Sequence, residues 1–261
     1  MDSREHPVLV QDQTQGVLTL TMNRPHSLNA LNRELLESLR EALDQAAADD
    51  HVRVVVLTGA GRGFSSGQDL VEVSGDPDFD IEKHLRRYYH PVIRRLAEYP
   101  KLTIARVNGV AAGAGASLML ACDLKFADAR TKIHMAFLQI GLVPDSGASY
   151  FLTRTLGQSG ALEMVLADDG WTAEEALRRG LINRVAETGM LDPLVRSWAQ
   201  RLAAASPVAL RLIKEEFRKA EGKNLDEMLT LEARLQAEAA ASEAHRIALA
   251  TFLNRKRKAD G

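Results

Sequence analysis

"VRVVVLTGAGRGFSSGQDL", residues 52–70, joins an unbroken apolar run to a loop built from glycine, alanine and serine. Val54 to Leu57 leave no polar face, so this is a strand buried on both sides, as in the interior of a parallel sheet. The small residues that follow let the backbone turn tightly and approach whatever lies beside it. The same arrangement returns in "LTIARVNGVAAGAGASLMLACDL" (102–124): an apolar strand over 102–109, then a small-residue run, before a further strand "LKFAD" (124–128). Strand, small-residue loop and apolar helix in succession predict an α/β fold centred on a mostly parallel sheet.

Upstream, "PVLV" (7–10) and "GVLTLTM" (16–22) read as a hairpin joined by the polar turn "QDQTQ", and "NRPHSLNAL" (23–31) as a loop. Leu35, Leu36, Leu39, Leu43 and Ala46 recur at helical spacing. A poorly patterned polar stretch runs to about residue 80, and 81–99 is helical with a kink predicted at Pro91. From about residue 146 the pattern turns to helices. "WTAEEALRRG" carries a Thr172–Glu175 capping box and a stop at Gly180. "DPLVRSWAQRLAAAS", "PVALRLIKEEFRKA" and one long stretch from Leu225 to Leu253 are amphipathic. A sheet-centred core is therefore followed by a helical extension of the kind that covers a partner subunit.

Composition removes several function classes. Lys plus Arg (33) balances Asp plus Glu (35) within the 261 residues, so no global field attracts nucleic acid or an anionic membrane. The basic helix "HLRRYYHPVIRR" reads as a solvated surface, and Glu34, Glu37, Glu41 and Asp44 on the first long helix would repel phosphate. Cys122, the one cysteine, excludes an internal disulfide framework, and "LACDL" makes it a buried thiol. "MDSREHP" lacks the apolar centre of a secretory signal, and no apolar run reaches the ~20 residues of a membrane span. The expectation is a soluble, cytoplasmic protein.

"LTGAGRGFSSG" is a decoy. A dinucleotide fingerprint needs a third glycine where Phe64 stands, and a phosphate loop needs Lys-Ser/Thr. The scattered histidines and the lack of a cysteine cluster predict no metal site. Two loops remain, "SSGQD" (65–69) and "AAGAGAS" (111–117), each leaving backbone N–H groups accessible after a buried strand. Tight packing explains such residues; so does an oxyanion hole formed where the two loops meet on one carbonyl oxygen. Asp145, in "IGLVPDSGASY" (140–150), also has two readings. It is either the N-cap of a helix from Ser146 or a working acid/base.

At these residues the chain resembles the enoyl-CoA hydratase/isomerase (crotonase) superfamily. "MNRPHSLNAL" (22–31), "VVLTGAGRGFSSGQDL" (55–70) and "VNGVAAGAGASLMLACDL" (107–124) match its motifs in order. The resemblance implies a β–β–α spiral core over residues 1–200 and a C-terminal helical trimerisation region over 201–261, assembled as homotrimers or hexamers. It implies an acyl-CoA substrate, with the N–H groups of Gln68 and Ala114 as oxyanion donors. The backbone around Ser27 and Leu28 and the Ser65–Ser66 loop would line the coenzyme A site. No metal or other cofactor is implied.

Departures from the family pattern narrow the reading. The two glutamates of the hydratases fall at Ser117 and Phe137, neither of which moves a proton at neutral pH. An acid at the Asp145 turn is found in dienoyl-CoA isomerases and in an aryl-CoA dehalogenase. "AFLQIGLVPDSGASYFLTR" (136–154) and "HLRRYYHPVIRRL" (84–96) are most similar to the ring-1,2-epoxyphenylacetyl-CoA isomerases of aerobic phenylacetate degradation. The expected chemistry is isomerisation through a thioester enolate, with Asp145 moving the proton and Phe137 and Val143 as its apolar neighbours. The alternatives are a hydratase of fatty-acid or aromatic catabolism, a hydrolase with an unusual acid, and a non-catalytic partner subunit.

Overall fold

The computed structural model describes residues 7–74, 78–167 and 169–259. The charged "MDSREH" start, residues 75–77 of the polar stretch, Asp168 and the last two residues lie outside the described residues. The chain opens with β1 (Leu9–Thr14), β2 (Val17–Met22) and α1 (Arg33–Ala48). β3 (Val54–Gly59) and the short β4 (Gly63–Ser65) lead to α2 (Leu70–Val73), α3 (Ile81–His84) and α4 (His90–Ala97). The next turn is β5 (Leu102–Val107), β6 (Val110–Ala112) and α5 (Ala114–Leu120). A further turn is β7 (Leu124–Asp128), β8 (Lys132–His134) and α6 (Ala148–Leu166). β9 (Trp171–Thr172), α7 (Ala173–Arg178) and β10 (Arg184–Ala186) close the core, and α8 (Leu191–Ala203), α9 (Pro207–Lys219), α10 (Leu225–Ala241) and α11 (Glu243–Ala259) follow.

Each turn gives one long strand to a six-stranded sheet, ordered β1-β2-β3-β5-β7-β10, and one short strand to a second sheet, ordered β4-β6-β8-β9. This is the β–β–α spiral with a C-terminal helical region. All pairs from β2 to β10 in the large sheet are parallel. β3 is buried along its whole length, as its unbroken apolar run requires. Val55 and Leu57 join the core under α1, while Val54 and Val56 pack on the other face with Leu191, Val195 and Ala199 of α8. α8 thus covers the core and also runs through residues 200–201, where the two regions were expected to divide. No helix among the described residues is long and apolar enough to cross a membrane.

α1 shows how the local sequence sets its place. Asn32 caps it by accepting from the Leu35 N–H at 3.0 Å, and Leu35, Leu36, Leu39 and Leu43 are buried. Each such leucine contributes roughly 1.5–3 kcal/mol. Its acidic face is partly matched by α4: Asp44 pairs with Arg40 and with Arg95. Arg86, Arg87, Arg94 and Arg95 are all exposed, so the basic helix does present a solvated surface, on which Arg95 pairs with Asp44.

Several expectations are corrected. The first hairpin turns at Gln15–Gly16, both with positive φ (53° and 79°), and most of "QDQTQ" is strand, because a two-residue turn with left-handed backbone matches strand twist. The 81–99 helix is not one continuous α-helix: a π turn over residues 85–89 separates α3 from α4, just ahead of Pro91. Only half of the capping box at α7 forms: Thr172 accepts from the Glu175 N–H at 3.2 Å, but the Glu175 carboxylate pairs with Arg178 and Arg179. The stretch from Leu225 to Leu253 is two helices, broken at Ser242, whose hydroxyl accepts from the His245 N–H at 3.1 Å and starts the second.

Candidate active site

The loop after β4 is held by Leu31. The Leu31 N–H donates to Gly67 O at 2.7 Å and the Asp69 N–H donates to Leu31 O at 3.1 Å, an isolated parallel bridge centred on Gln68. Such a bridge uses the groups on either side of Gln68 and leaves its own N–H without an acceptor among the described residues. On the second loop, the Gly113 N–H donates to His134 O at 2.9 Å. Ala114 is the first residue of α5, so its N–H has no intrahelical acceptor.

Two glycines let these loops meet. A side chain on Gly67, at φ +94°, would meet Ala112 O at 2.8 Å and the Ala114 nitrogen at 3.4 Å. One on Gly115 would meet Ser65 O at 2.6 Å. The loops therefore touch backbone to backbone, with Gly67, the residue before Gln68, against Ala112 and Ala114. Two aligned donors in a site of low dielectric are what a developing oxyanion needs, each typically contributing roughly 3–4 kcal/mol.

Ser27, Leu28, Ser65 and Ser66 are also brought together. The Ser66 N–H donates to Leu28 O and its hydroxyl to Ser27 O, both at 2.9 Å. The fully buried Ser65 hydroxyl donates to Asn29 O at 2.9 Å and accepts from the Gly67 N–H at 3.2 Å, so it shapes the loop. Asn29, not singled out from the sequence beyond its place in the 22–31 motif, is the bracket of this region. It is fully buried, accepts from the Arg24 N–H at 2.9 Å and donates to Ala60 O at 2.9 Å and Gly63 O at 2.8 Å. An asparagine that satisfies three backbone groups on two loops is legible only once the loops are known to meet.

Asp145 lies in the turn ahead of α6, docked on the first turn of α5 by Ser117, whose buried hydroxyl donates to Asp145 O at 3.1 Å. It is not the helix cap. α6 starts at Ala148, and Ser146 (φ 50°) and Gly147 (φ 80°) intervene in left-handed conformation with no side-chain cap. One carboxylate oxygen, Oδ1, is buried without a hydrogen-bond partner. Burial raises the carboxyl above the usual carboxylate range, opposed by the charge of His90. Phe137 is buried as expected, but Val143 is 79% exposed and supplies no apolar cover. Tyr89 is a further neighbour: its buried phenol, raised by desolvation and by the charge of Asp145, donates to Leu31 O at 3.1 Å. Leu31 thus ties Tyr89 to the Gln68 bridge, while Ser117 ties Asp145 to the Ala114 helix.

The other carboxylates close to the first loop are engaged. Asp69 pairs with Arg24 at 2.8 Å, and Glu72 accepts from the Arg33 N–H at 3.2 Å. A cleft of about 1200 Å³ opens beside the Asp145 turn, from His90 and Ser146 across to Phe217. Another of about 640 Å³ lies on the outer face of the large sheet, between Thr19 and Val195, away from both loops.

Fold and paired loops define the enoyl-CoA hydratase/isomerase class, and residues 12–260 match the family model of that description: the chain belongs to the enoyl-CoA hydratase/isomerase family. It is 40% identical over 245 residues to a 1,2-epoxyphenylacetyl-CoA isomerase of Escherichia coli (strain K12), covering 93% of this chain and 94% of the relative. It is 34% identical over 248 residues to a 2,3-dehydroadipyl-CoA hydratase of the same organism, covering 95% and 96%. A solved enoyl-CoA hydratase/isomerase structure from Mycobacterium abscessus superposes with a TM-score of 0.90 at 34% identity, covering 95% of this chain and 96% of that one. Isomerase and hydratase both stand among these relatives.

Proposed function

We propose that this enzyme is an acyl-CoA isomerase working through a thioester enolate, with the ring-1,2-epoxide of phenylacetyl-CoA as its substrate in phenylacetate catabolism. The thioester carbonyl accepts from the N–H groups of Gln68 and Ala114. Asp145 removes the proton next to the carbonyl and returns it elsewhere, or stabilises charge as the epoxide ring expands to the oxepin. The backbone at Ser27 and Leu28 and the Ser66 loop border the coenzyme A portion. The chain acts in the cytoplasm as a homotrimer or hexamer.

One observation supports the reading: the Asp145 turn is docked on α5, the helix that Ala114 opens, and its carboxylate keeps a buried, unpartnered oxygen, while Asp69 and Glu72 are paired. Acid–base help of this kind is worth about 10²–10⁴ in rate, and a raised pKa brings the group closer to the working pH. Adding water needs one group to activate water and another to protonate carbon, and Ser117 and Phe137 supply neither. The test is incubation with 2-enoyl, 3-enoyl and ring-epoxide CoA esters followed by mass spectrometry. Products of unchanged mass from the 3-enoyl and epoxide esters are expected. Gain of one water from the 2-enoyl ester as the main reaction would make the enzyme a hydratase.

A further inference from the structure

Four of the buried side-chain polar atoms left without a partner are Gln68 Nε2, Asp145 Oδ1, Ser146 Oγ and His84 Nε2. The first three belong to or adjoin the site described above. His84 does not, and it is the most unusual of them. It is 5% exposed, and its ring lies 5.0 Å from Phe79, 5.1 Å from Tyr88 and 5.6 Å from Tyr89, centroid to centroid. Tyr89 is the ring that feels the charge of Asp145, and Glu72, whose charge acts on His84, sits on α2, which begins two residues after Gln68. Tyr89 also donates to the O of Leu31, the bridge partner of Gln68, so His84 packs against the ring that links the Gln68 loop to Asp145.

A buried nitrogen without a partner is costly, and native proteins satisfy nearly all such atoms. Aromatic faces suit a planar or cyclic group, but they do not account for a polar atom among them. A hydrocarbon acyl chain would leave His84 Nε2 unsatisfied in the complex as well. We propose that His84 is the polar specificity residue of the acyl pocket, its Nε2 hydrogen-bonding an oxygen borne on a cyclic acyl group. The substrate class is then an oxygenated cyclic acyl-CoA. The proposal rests on the isomerase reading in placing the acyl group beside Asp145. Burial holds the imidazole neutral, so Nε2 offers either an N–H or a lone pair, and a hydroxyl or epoxide oxygen fits.

Calorimetry on the whole protein with two esters that it does not isomerise, phenylacetyl-CoA and 2-hydroxyphenylacetyl-CoA, tests this directly. The hydroxylated ester is expected to bind the wild type about tenfold tighter or more, and H84F to shrink that preference to within about threefold. Equal affinities in the wild type, or a preference that survives in H84F, would overturn the proposal. If circular dichroism shows H84F misfolded, nitrogen NMR of the wild type decides. The hydroxylated ester, and not the plain one, should shift the His84 Nε2 resonance; identical responses overturn it. Neither ester turns over, so the outcome is independent of Asp145. An active D145N enzyme would sink the isomerase reading and leave the binding preference standing, and equal binding would do the reverse.

Discussion

Asp145 carries a raised carboxyl pKa because the folded chain desolvates it and leaves Oδ1 without a donor. A group whose folded pKa lies above its unfolded value stabilises the fold in its protonated form. That contribution is complete at acid pH and is lost as pH rises through the raised value. D145N should therefore melt above the wild type at about pH 8, with the gap closing toward about pH 4. Parallel melting curves across that range would show that the carboxyl is not destabilised by burial. The same variant should lose about 10²-fold or more in kcat, and wild-type kcat should fall as acid protonates the base. Ser117 and Phe137 make the complementary case. Wild-type protein should hydrate crotonyl-CoA negligibly, and S117E combined with F137E should introduce a slow hydration. The structure adds a cost: Ser117 is fully buried and bonded to Asp145 O, so a glutamate there overpacks the site by about 1–3 kcal/mol. Folding must be checked by calorimetry, and robust crotonyl-CoA hydration by the wild type would overturn the isomerase assignment.

The proposed oxyanion pair depends on two loops from successive spiral turns being pressed into backbone contact, which the glycines at 67 and 115 permit. G67A places a methyl 2.8 Å from Ala112 O at φ +94°, so one loop must shift. It should cost about 1–3 kcal/mol in stability and lower kcat/KM more than it raises KM, since the amides serve the enolate more than the bound substrate. Wild-type kinetics in folded G67A would mean that the loop spacing is not what aligns the donors. A114P should abolish turnover by removing one donor outright, provided circular dichroism shows an intact fold. Elements of this kind were only partly legible. β3, β5 and β7 announce themselves as apolar runs, and the leucines of α1 fall where their spacing puts them. β4, β6 and β8 are three-residue strands, too short to show an alternating pattern, whose pairing is set by the path of the spiral, so no local pattern marks them. The same long-range logic hid Asn29 and Tyr89, each of which acts by reaching backbone groups far away in sequence. Asp145 was legible as a candidate because it is a charge in an apolar stretch; its displacement from the cap position was not, since it depends on Ser146 adopting positive φ.

At the scale of the whole molecule the helical extension presents more apolar surface than one chain covers. Leu225 is 73% exposed, Ile247 61% and Phe252 65%, all on the consecutive helices α10 and α11. Covering such a residue is worth roughly 1.5–3 kcal/mol, so a handful of them across a symmetric contact can hold an assembly together. Two observations locate that contact. α10 packs on α9, whereas α11, which follows it across the break at Ser242, is exposed throughout residues 245–253 and so leaves its apolar side chains uncovered by its own chain. Phe217 of α9 is also 74% exposed, and it borders the cleft beside the Asp145 turn. Light scattering at micromolar concentration should therefore give three or six chains. Replacing two exposed apolar residues by charge, I247E with F252E, should shift the distribution to smaller species while circular dichroism leaves the spiral intact. Neither residue touches the oxyanion loops, so a loss of turnover that tracks the loss of assembly would mean that a neighbouring chain completes the wall of the cleft. Turnover unchanged in a dissociated variant would confine the active site to one chain, and a monomeric wild type would show that the extension closes on itself.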